Sequence, residues 1–237
     1  MDHRYRNGRA VSVTGFFLID KPVHPTSHDV VDVLRKIANE RTVGHAGTLD
    51  PLASGLLIVA VGREFTKQID KFKNLDKVYE AEITLGQTSN TYDGEGELTL
   101  TSGRCPSDKE IKKVLQQFVG VYSQLPPIFS AKKIHGQSAY KLARQGRSVE
   151  LKPALVEIYD IDLIDYHYPK STFSAKVSVG TYIRSLAHDI GKQLGTGAYL
   201  SGLRRIAIGE FSVAQAINLN ELQSAADLEK GRMRGVV

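Results

Sequence analysis

RTVGHAGTLDPLASGLLIVAVG (41–62) changes character halfway along. Its first eleven residues hold two glycines and a proline, the composition of a loop, whereas LLIVAVG (56–62) is an apolar run short enough to be a strand buried on both faces. Upstream, Thr26 and Ser27 offer N-caps, and Val30, Val33, Leu34 and Ile37 recur at helical spacing, which predicts an amphipathic helix over 27–40. The loop is therefore expected to be pinned between a helix and a core strand.

Outward from it, GFFLIDKP (15–22) reads as a buried strand stopped by Pro22, and VYEAEITLG (78–86) alternates like a strand. TYDGEGELTL (91–100) carries an Asp-Gly turn signal, for a hairpin or a mobile loop. Ser107 and Glu110 form a capping box that starts a helix at about 108–119, and Pro126 and Pro127 keep PPIFSAKK (126–133) extended. A short basic helix is expected over 138–145, strands over 156–168 and 173–179, a helix over 180–195 and a short last one over 221–230. Strands and helices do not alternate regularly, which predicts an α+β fold with a mixed, largely antiparallel sheet flanked by helices and loops.

With 237 residues, 41% hydrophobic and 24% charged, the chain can bury one large core or two smaller ones. No apolar run approaches the ~20 residues that span a bilayer, and residues 1–15 lack a signal peptide's apolar segment, so a soluble, cytosolic protein is expected. Cys105 is the only cysteine, which excludes an intramolecular disulfide and a cysteine metal cluster. The net charge of +5 is local. Between residues 132 and 152, Lys132, Lys133, Lys141, Arg144, Arg147 and Lys152 face Glu150 alone, either as a solvated helical face or as a grip on an RNA backbone.

In GHAGTLDPLASG, Gly44 and Gly47 can bring backbone close to a ligand, and Pro51 biases Asp50 away from the helical region. A carboxylate on a stiff loop suits chemistry. An Asp-Pro pair is also an ordinary helix start, and His45 an ordinary loop histidine.

Taken with GFFLIDKPVHPTSHDVV, KVYEAEITLGQTSNTYDGEGEL, PPIFSAKK, GTYIRSLAHDIG and LSGLRRIAIGEFSV, this segment resembles the TruB family of pseudouridine synthases in order and spacing over roughly residues 15–215. The resemblance implies the pseudouridine synthase fold, with an active-site cleft between two lobes, and an isomerase that converts the T-loop uridine of tRNA at position 55 to pseudouridine. By motif position it makes Asp50 the catalytic aspartate, Tyr79 the active-site tyrosine and Arg184 the arginine that pairs with that aspartate. Lys21 and Pro22 match the Lys-Pro near the active site. His45 matches the histidine that fills space vacated by extruded nucleotides, and Leu203 lies in the LRR segment beside the pocket. Otherwise Tyr79 reads as core, Lys21 as an exposed strand end and Arg184 as a solvated helix residue.

Moving ribose C1′ from uracil N1 to C5 involves no net redox change and consumes no water, so no cofactor and no metal are expected. A carboxylate near C1′ can act as nucleophile, as base on the ribose or as electrostatic support. Leu56, Leu57 and Leu203 are candidates for dry walls around an extruded base. An RNA-binding protein without chemistry and a carboxylate hydrolase are the rivals; the latter normally needs two carboxylates, and the loop offers only Asp50. LDPLASG resembles the stand-alone tRNA enzymes, so no guide RNA is expected, and the partner is the T-arm of tRNA, met by a monomer. The expected layout is a flexible basic terminus over 1–10, the catalytic domain over 11–215, and a short helix and tail over 216–237 in place of the PUA domain common in the family.

Overall fold

A computed structural model describes residues 13–128 and 151–233, and the backbone of 5–6, 9–10, 133–134 and 137–138. The chain forms two compact units, one of residues 1–77 and 204–237, the other of 78–203. In chain order the first unit holds β1 (Tyr5–Arg6), β2 (Arg9–Ala10), β3 (Gly15–Lys21), α1 (Ser27–Ala38), β4 (Val43–Ala46), β5 (Ala53–Val61) and the one-turn helices α2 (Arg63–Thr66) and α3 (Asp70–Lys73). Then follow β6 (Lys77–Leu85), β7 (Gln87–Ser89), β8 (Leu98–Leu100), α4 (Asp108–Gln116), β9 (Gly120–Gln124), β10 (Lys133–Ile134) and β11 (Gln137–Ser138). Next come β12 (Ala154–His167), β13 (Lys170–Val177), α5 (Ile183–Leu194) and β14 (Ala198–Ile208), whose residues 204–208 belong to the first unit. The first unit closes with β15 (Phe211–Ser212), β16 (Ile217–Asn218) and α6 (Ala225–Lys230). Mixed α and β structure and a largely antiparallel sheet agree with expectation.

In the first unit, β3 and β5 pair antiparallel from Gly15↔Val61 to Lys21↔Gly55, and β16 joins β3 in parallel. Strand side chains alternate between faces, and here both faces are apolar. Phe17, Ile19, Leu57, Val59 and Val61 pack with Val30, Val31 and Leu34 of α1. Phe16, Leu18, Leu56, Ile58 and Ala60 pack with Ile69, Phe72 and Ile208. Leu56 and Leu57 are thus both core residues. The N-terminus of α1 is fixed by Thr26, which forms a capping box with Asp29, and its C-terminus by Asn39 in the left-handed conformation.

In the second unit β12 pairs antiparallel with β13 and with β9, and α4 packs on β12 and against α5. Ile158, Ile161, Phe173 and Val177 of the strands and Ile111, Leu115, Leu186 and Ile190 of the helices are buried. The Ser107–Glu110 capping box forms as predicted. The Asp-Gly turn lies between β7 and β8, which pair antiparallel.

Two features depart from the sequence reading. Residues 43–46, read as loop by composition, are a strand, because the edge of β5 offers them a ladder from Val43↔Val61 to Ala46↔Ile58. Strands β9 and β14 escape a pattern reading, since each has exposed apolar or buried charged positions that break the alternation. Within residues 1–10, Tyr5–Arg6 and Arg9–Ala10 pair antiparallel. The helix expected over 138–145 lies outside the described residues apart from the Ser138 backbone, which belongs to β11, and so does PPIFSAKK beyond Ile128 apart from the Lys133 backbone.

Gly55, opposite Lys21 on β5, has φ +102°, and a Cβ there would collide with the backbone of Arg205. Gly120 has the same φ of +102° with open space around the missing Cβ. Gly120→Ala should therefore cost only the positive-φ strain of about 1–3 kcal/mol, and Gly55→Ala more because backbone must move as well. Urea unfolding of the two variants tests this; equal losses would show that the approach of Arg205 is soft.

Candidate active site

Asp50 does not start a helix. The Ala53 N–H donates to the Asp50 carbonyl at 3.0 Å, a β-turn with Asp first and Pro51 second, the positions those residues favour. The neighbouring backbone is held residue by residue. The Ser27 hydroxyl accepts from the Leu49 N–H at 2.8 Å and donates to the Leu49 carbonyl at 3.0 Å, both buried. The His24 N–H donates to the Pro51 carbonyl at 2.8 Å. Arg205 Nη2 donates to the Gly47 carbonyl at 3.2 Å while its Nε donates to the Leu56 carbonyl at 2.7 Å. Ser27, read as a candidate N-cap, is instead the loop's anchor; Thr26 takes the cap.

Lys21 ends β3 and is not an exposed strand end: it is 0% exposed, and its ammonium donates to the carbonyls of Pro22 (2.9 Å) and Pro25 (2.7 Å), holding that bend. Burial pushes Lys21 down to about 8; the Asp50 carboxylate works against this, the Arg205 charge adds to it and Asp29 opposes it. Next to Lys21, Asp20 takes both Arg204 nitrogens at 3.0 and 2.7 Å, a bidentate pair. Arg205 itself is 1% exposed. The two arginines of the LRR segment thus divide their work, one on an aspartate and the other on carbonyls.

His45 lies on β4, half-buried, with its Nδ1 buried and without a hydrogen-bond partner among the described residues. Burial lowers its pKa, the backbone of Gly47 opposes this, and the charges of Arg205 and Lys73 add to the lowering. It lines a pocket of about 530 Å³ with His28, Gly47, Thr48 and Lys73. A flat ring and an ammonium suit a nucleotide.

In the second unit Tyr79 sits on the buried face of β6 with Ala81, Ile83 and Leu85. Leu203 is half-buried on β14. Arg184, in the first turn of α5, is no solvated helix residue. Its side chain is 11% exposed and donates to the Asp93 carboxylate at 2.9 Å, which is itself 3% exposed. Asp93 also accepts from Thr91 Oγ1 (2.6 Å) and the Glu95 N–H (3.1 Å). A buried pair so bonded resists the loss of either member. Before Asp93, Tyr92 has φ +67° and its ring stacks on His188 at 4.1 Å and 19°. Such a φ costs about 1–3 kcal/mol, against which a stacked pair supplies roughly 0.5–1.5 kcal/mol. Sequence reading saw in Asp93 only a turn signal; that its neighbours lie close to α5 has no sequence mark. Lys132, Arg144, Arg147 and the side chain of Lys133 lie outside the described residues, and no cluster of metal-ligating side chains occurs among those described.

A lysine whose folded pKa is about 8 and whose unfolded value is 10.5 loses its proton on folding anywhere between them, so its burial penalty is full below pH 8 and fades as pH rises through that window. The stability of the parent relative to Lys21→Met should be flat below pH 8 and rise towards pH 10.5 by roughly 3 kcal/mol at most. Urea unfolding of both proteins across pH 7–10.5 measures it; a difference independent of pH would mean that Lys21 is not desolvated.

The family described as TruB family pseudouridylate synthase (N terminal domain) matches residues 35–183, and the tRNA pseudouridylate synthase B C-terminal domain matches 184–235. The chain is 43% identical over 210 residues to the tRNA pseudouridine synthase B of Chlamydia muridarum, covering 89% of this chain and 87% of the relative. To that of Syntrophotalea carbinolica it is 42% identical over 215 residues, covering 90% of this chain and 70% of the relative. Among solved structures, a chain of an H/ACA RNP bound to a substrate RNA containing 2′-deoxyuridine is similar, with TM-score 0.66 and 31% identity over 88% of this chain, which spans about half (52%) of that one. A chain of a Cbf5-Nop10-Gar1 complex gives TM-score 0.67 and 32% identity, with 88% of this chain and 53% of that one covered. Two consecutive family matches from residue 35 to residue 235, with relatives at this identity over most of the chain, mean that it belongs to the TruB family of pseudouridylate synthases.

Proposed function

We propose that this protein converts the T-loop uridine of tRNA, position 55, to pseudouridine, with Asp50 as its catalytic carboxylate. The observation that carries the reading is the Asp50 turn: four hydrogen bonds from three residues, Ser27, Arg205 and His24, fix the backbone on either side of one carboxylate in the loop that the family motif marks. Such rigidity is what a group needs when it must meet a single atom, ribose C1′, at reacting distance. The uridine is extruded from the loop stack at a cost of a few kcal/mol. Asp50 acts at C1′ as the C1′–N1 bond breaks, the detached base turns, and C5 bonds to C1′ while its proton is lost and N1 gains one. Tyr79 offers a face for the base. Arg184 directs the carboxylate; a guanidinium fits that work better than an ammonium because it is planar and bidentate.

His45, Lys21, Pro22 and Leu203 shape the substrate's surroundings, and Lys132, Lys133, Arg144 and Arg147 grip phosphate. The protein works on bare tRNA, which the LDPLASG motif and the names of the curated relatives support, as a cytosolic monomer. The likeness to a chain of an H/ACA RNP favours a second reading, in which activity depends on a further RNA.

Chemical mapping of pseudouridine in tRNA transcripts incubated with the protein alone separates the readings: an isomer supports the first, unchanged RNA the second, and released uracil a hydrolase. Asp50→Asn should abolish product with RNA binding retained, and Arg184→Lys should cost on the order of 10²-fold in kcat. Turnover near the parent's in Asp50→Asn would overturn the assignment.

Each phosphate contact adds roughly 0.7–0.9 to the log–log salt slope of binding, so neutralising Lys133, Arg144 or Arg147 should flatten that slope without changing the site modified. Slopes unaltered in all three variants would make this stretch a solvated face.

A further inference from the structure

We infer that His188 is a positioning residue, which sets the place of the Asp93–Arg184 pair through its stack on Tyr92. The inference rests on the role proposed above for Arg184. Residues 184 and 188 are one turn apart on α5 and so share a face. Both reach the same short segment. Arg184 donates to the Asp93 carboxylate, and the ring of His188 lies on Tyr92, the residue immediately before it.

Tyr92 is where this segment is least content on its own, since a tyrosine at φ +67° gains nothing locally from that conformation. Something must hold it there. Its carbonyl accepts from Leu200 and its N–H donates to Ser89, which fix the backbone on the strand side; the stack is what fixes it on the helix side. If Tyr92 relaxed towards an ordinary φ, the peptide linking it to Asp93 would turn. The carboxylate that receives Thr91, Glu95 and Arg184 would then leave its place.

His188 serves here as a plate rather than as a proton carrier. Its Nδ1 is buried and meets no hydrogen-bond partner among the described residues, and burial together with the charge of Lys192 keeps its pKa below the ordinary value. A phenyl ring would fill the same role. A flexible amide would not.

The test is steady-state kinetics of pseudouridine formation on a tRNA transcript by His188→Ala, His188→Gln and His188→Phe, with Arg184→Lys alongside. Loss of the stack in the Ala and Gln variants should lower kcat by about tenfold with KM within about twofold, and Phe should restore kcat to within about twofold of the parent. A Phe variant as slow as Ala, or an Ala variant as fast as the parent while Arg184→Lys is impaired, overturns the inference and leaves the reading of Arg184 standing. Full activity in Arg184→Lys overturns that reading and this inference with it. A purely structural defect would appear as a lower urea midpoint with kcat per folded molecule unchanged, which also contradicts it.

Discussion

One serine hydroxyl, closing on both the N–H and the carbonyl of Leu49, ties the Asp50 turn to the start of α1. Because the bonds are buried, losing the hydroxyl would strand two backbone groups away from water, a cost larger than the net worth of either bond. Arg205 extends the same restraint to Gly47 and onward to Leu56 in β5. The segment whose composition is that of a loop, and which the sequence places between a helix and a core strand, is in this way as firmly seated as a strand.

That seating places positive charge inside the first unit. The Arg205 guanidinium weighs on Lys21, His45 and Lys77, each already lowered by burial. Lys77 is pushed to about 8 even with its ammonium on the carbonyls of Lys73 and Leu75. Cations are costly to bury, and here each is met by carbonyl oxygens. The apolar layers on both faces of β3 and β5 stabilise the unit against that cost.

In the second unit a comparable economy governs α5. A cation in a helix's first turn opposes the helix dipole, and Arg184 is kept there by a buried carboxylate. Asp93 in turn depends on a backbone bend that no local preference favours at Tyr92. Side-chain pairing and backbone strain therefore support each other across residues 91–93 and 184–188.

Much of this was legible in the amino-acid sequence. Period announces α1 and α5, because an amphipathic helix repeats its signal over several turns, caps announce the starts of α1 and α4, and an apolar run announces β5. Asp50, Tyr79, Arg184, Lys21 and His45 were legible as motif positions, and the family matches agree with that resemblance. Tertiary structure alone decided that Asp50 heads a turn rather than a helix, that Lys21 is buried rather than exposed, and that Ser27, Asp93, Arg204 and Arg205 are the groups that hold the two regions. The reason is distance along the chain. Ser27 meets Leu49 across 22 residues, Asp93 meets Arg184 across 91 and Gly47 meets Arg205 across 158, and a contact between residues so far apart leaves no period in the sequence of either.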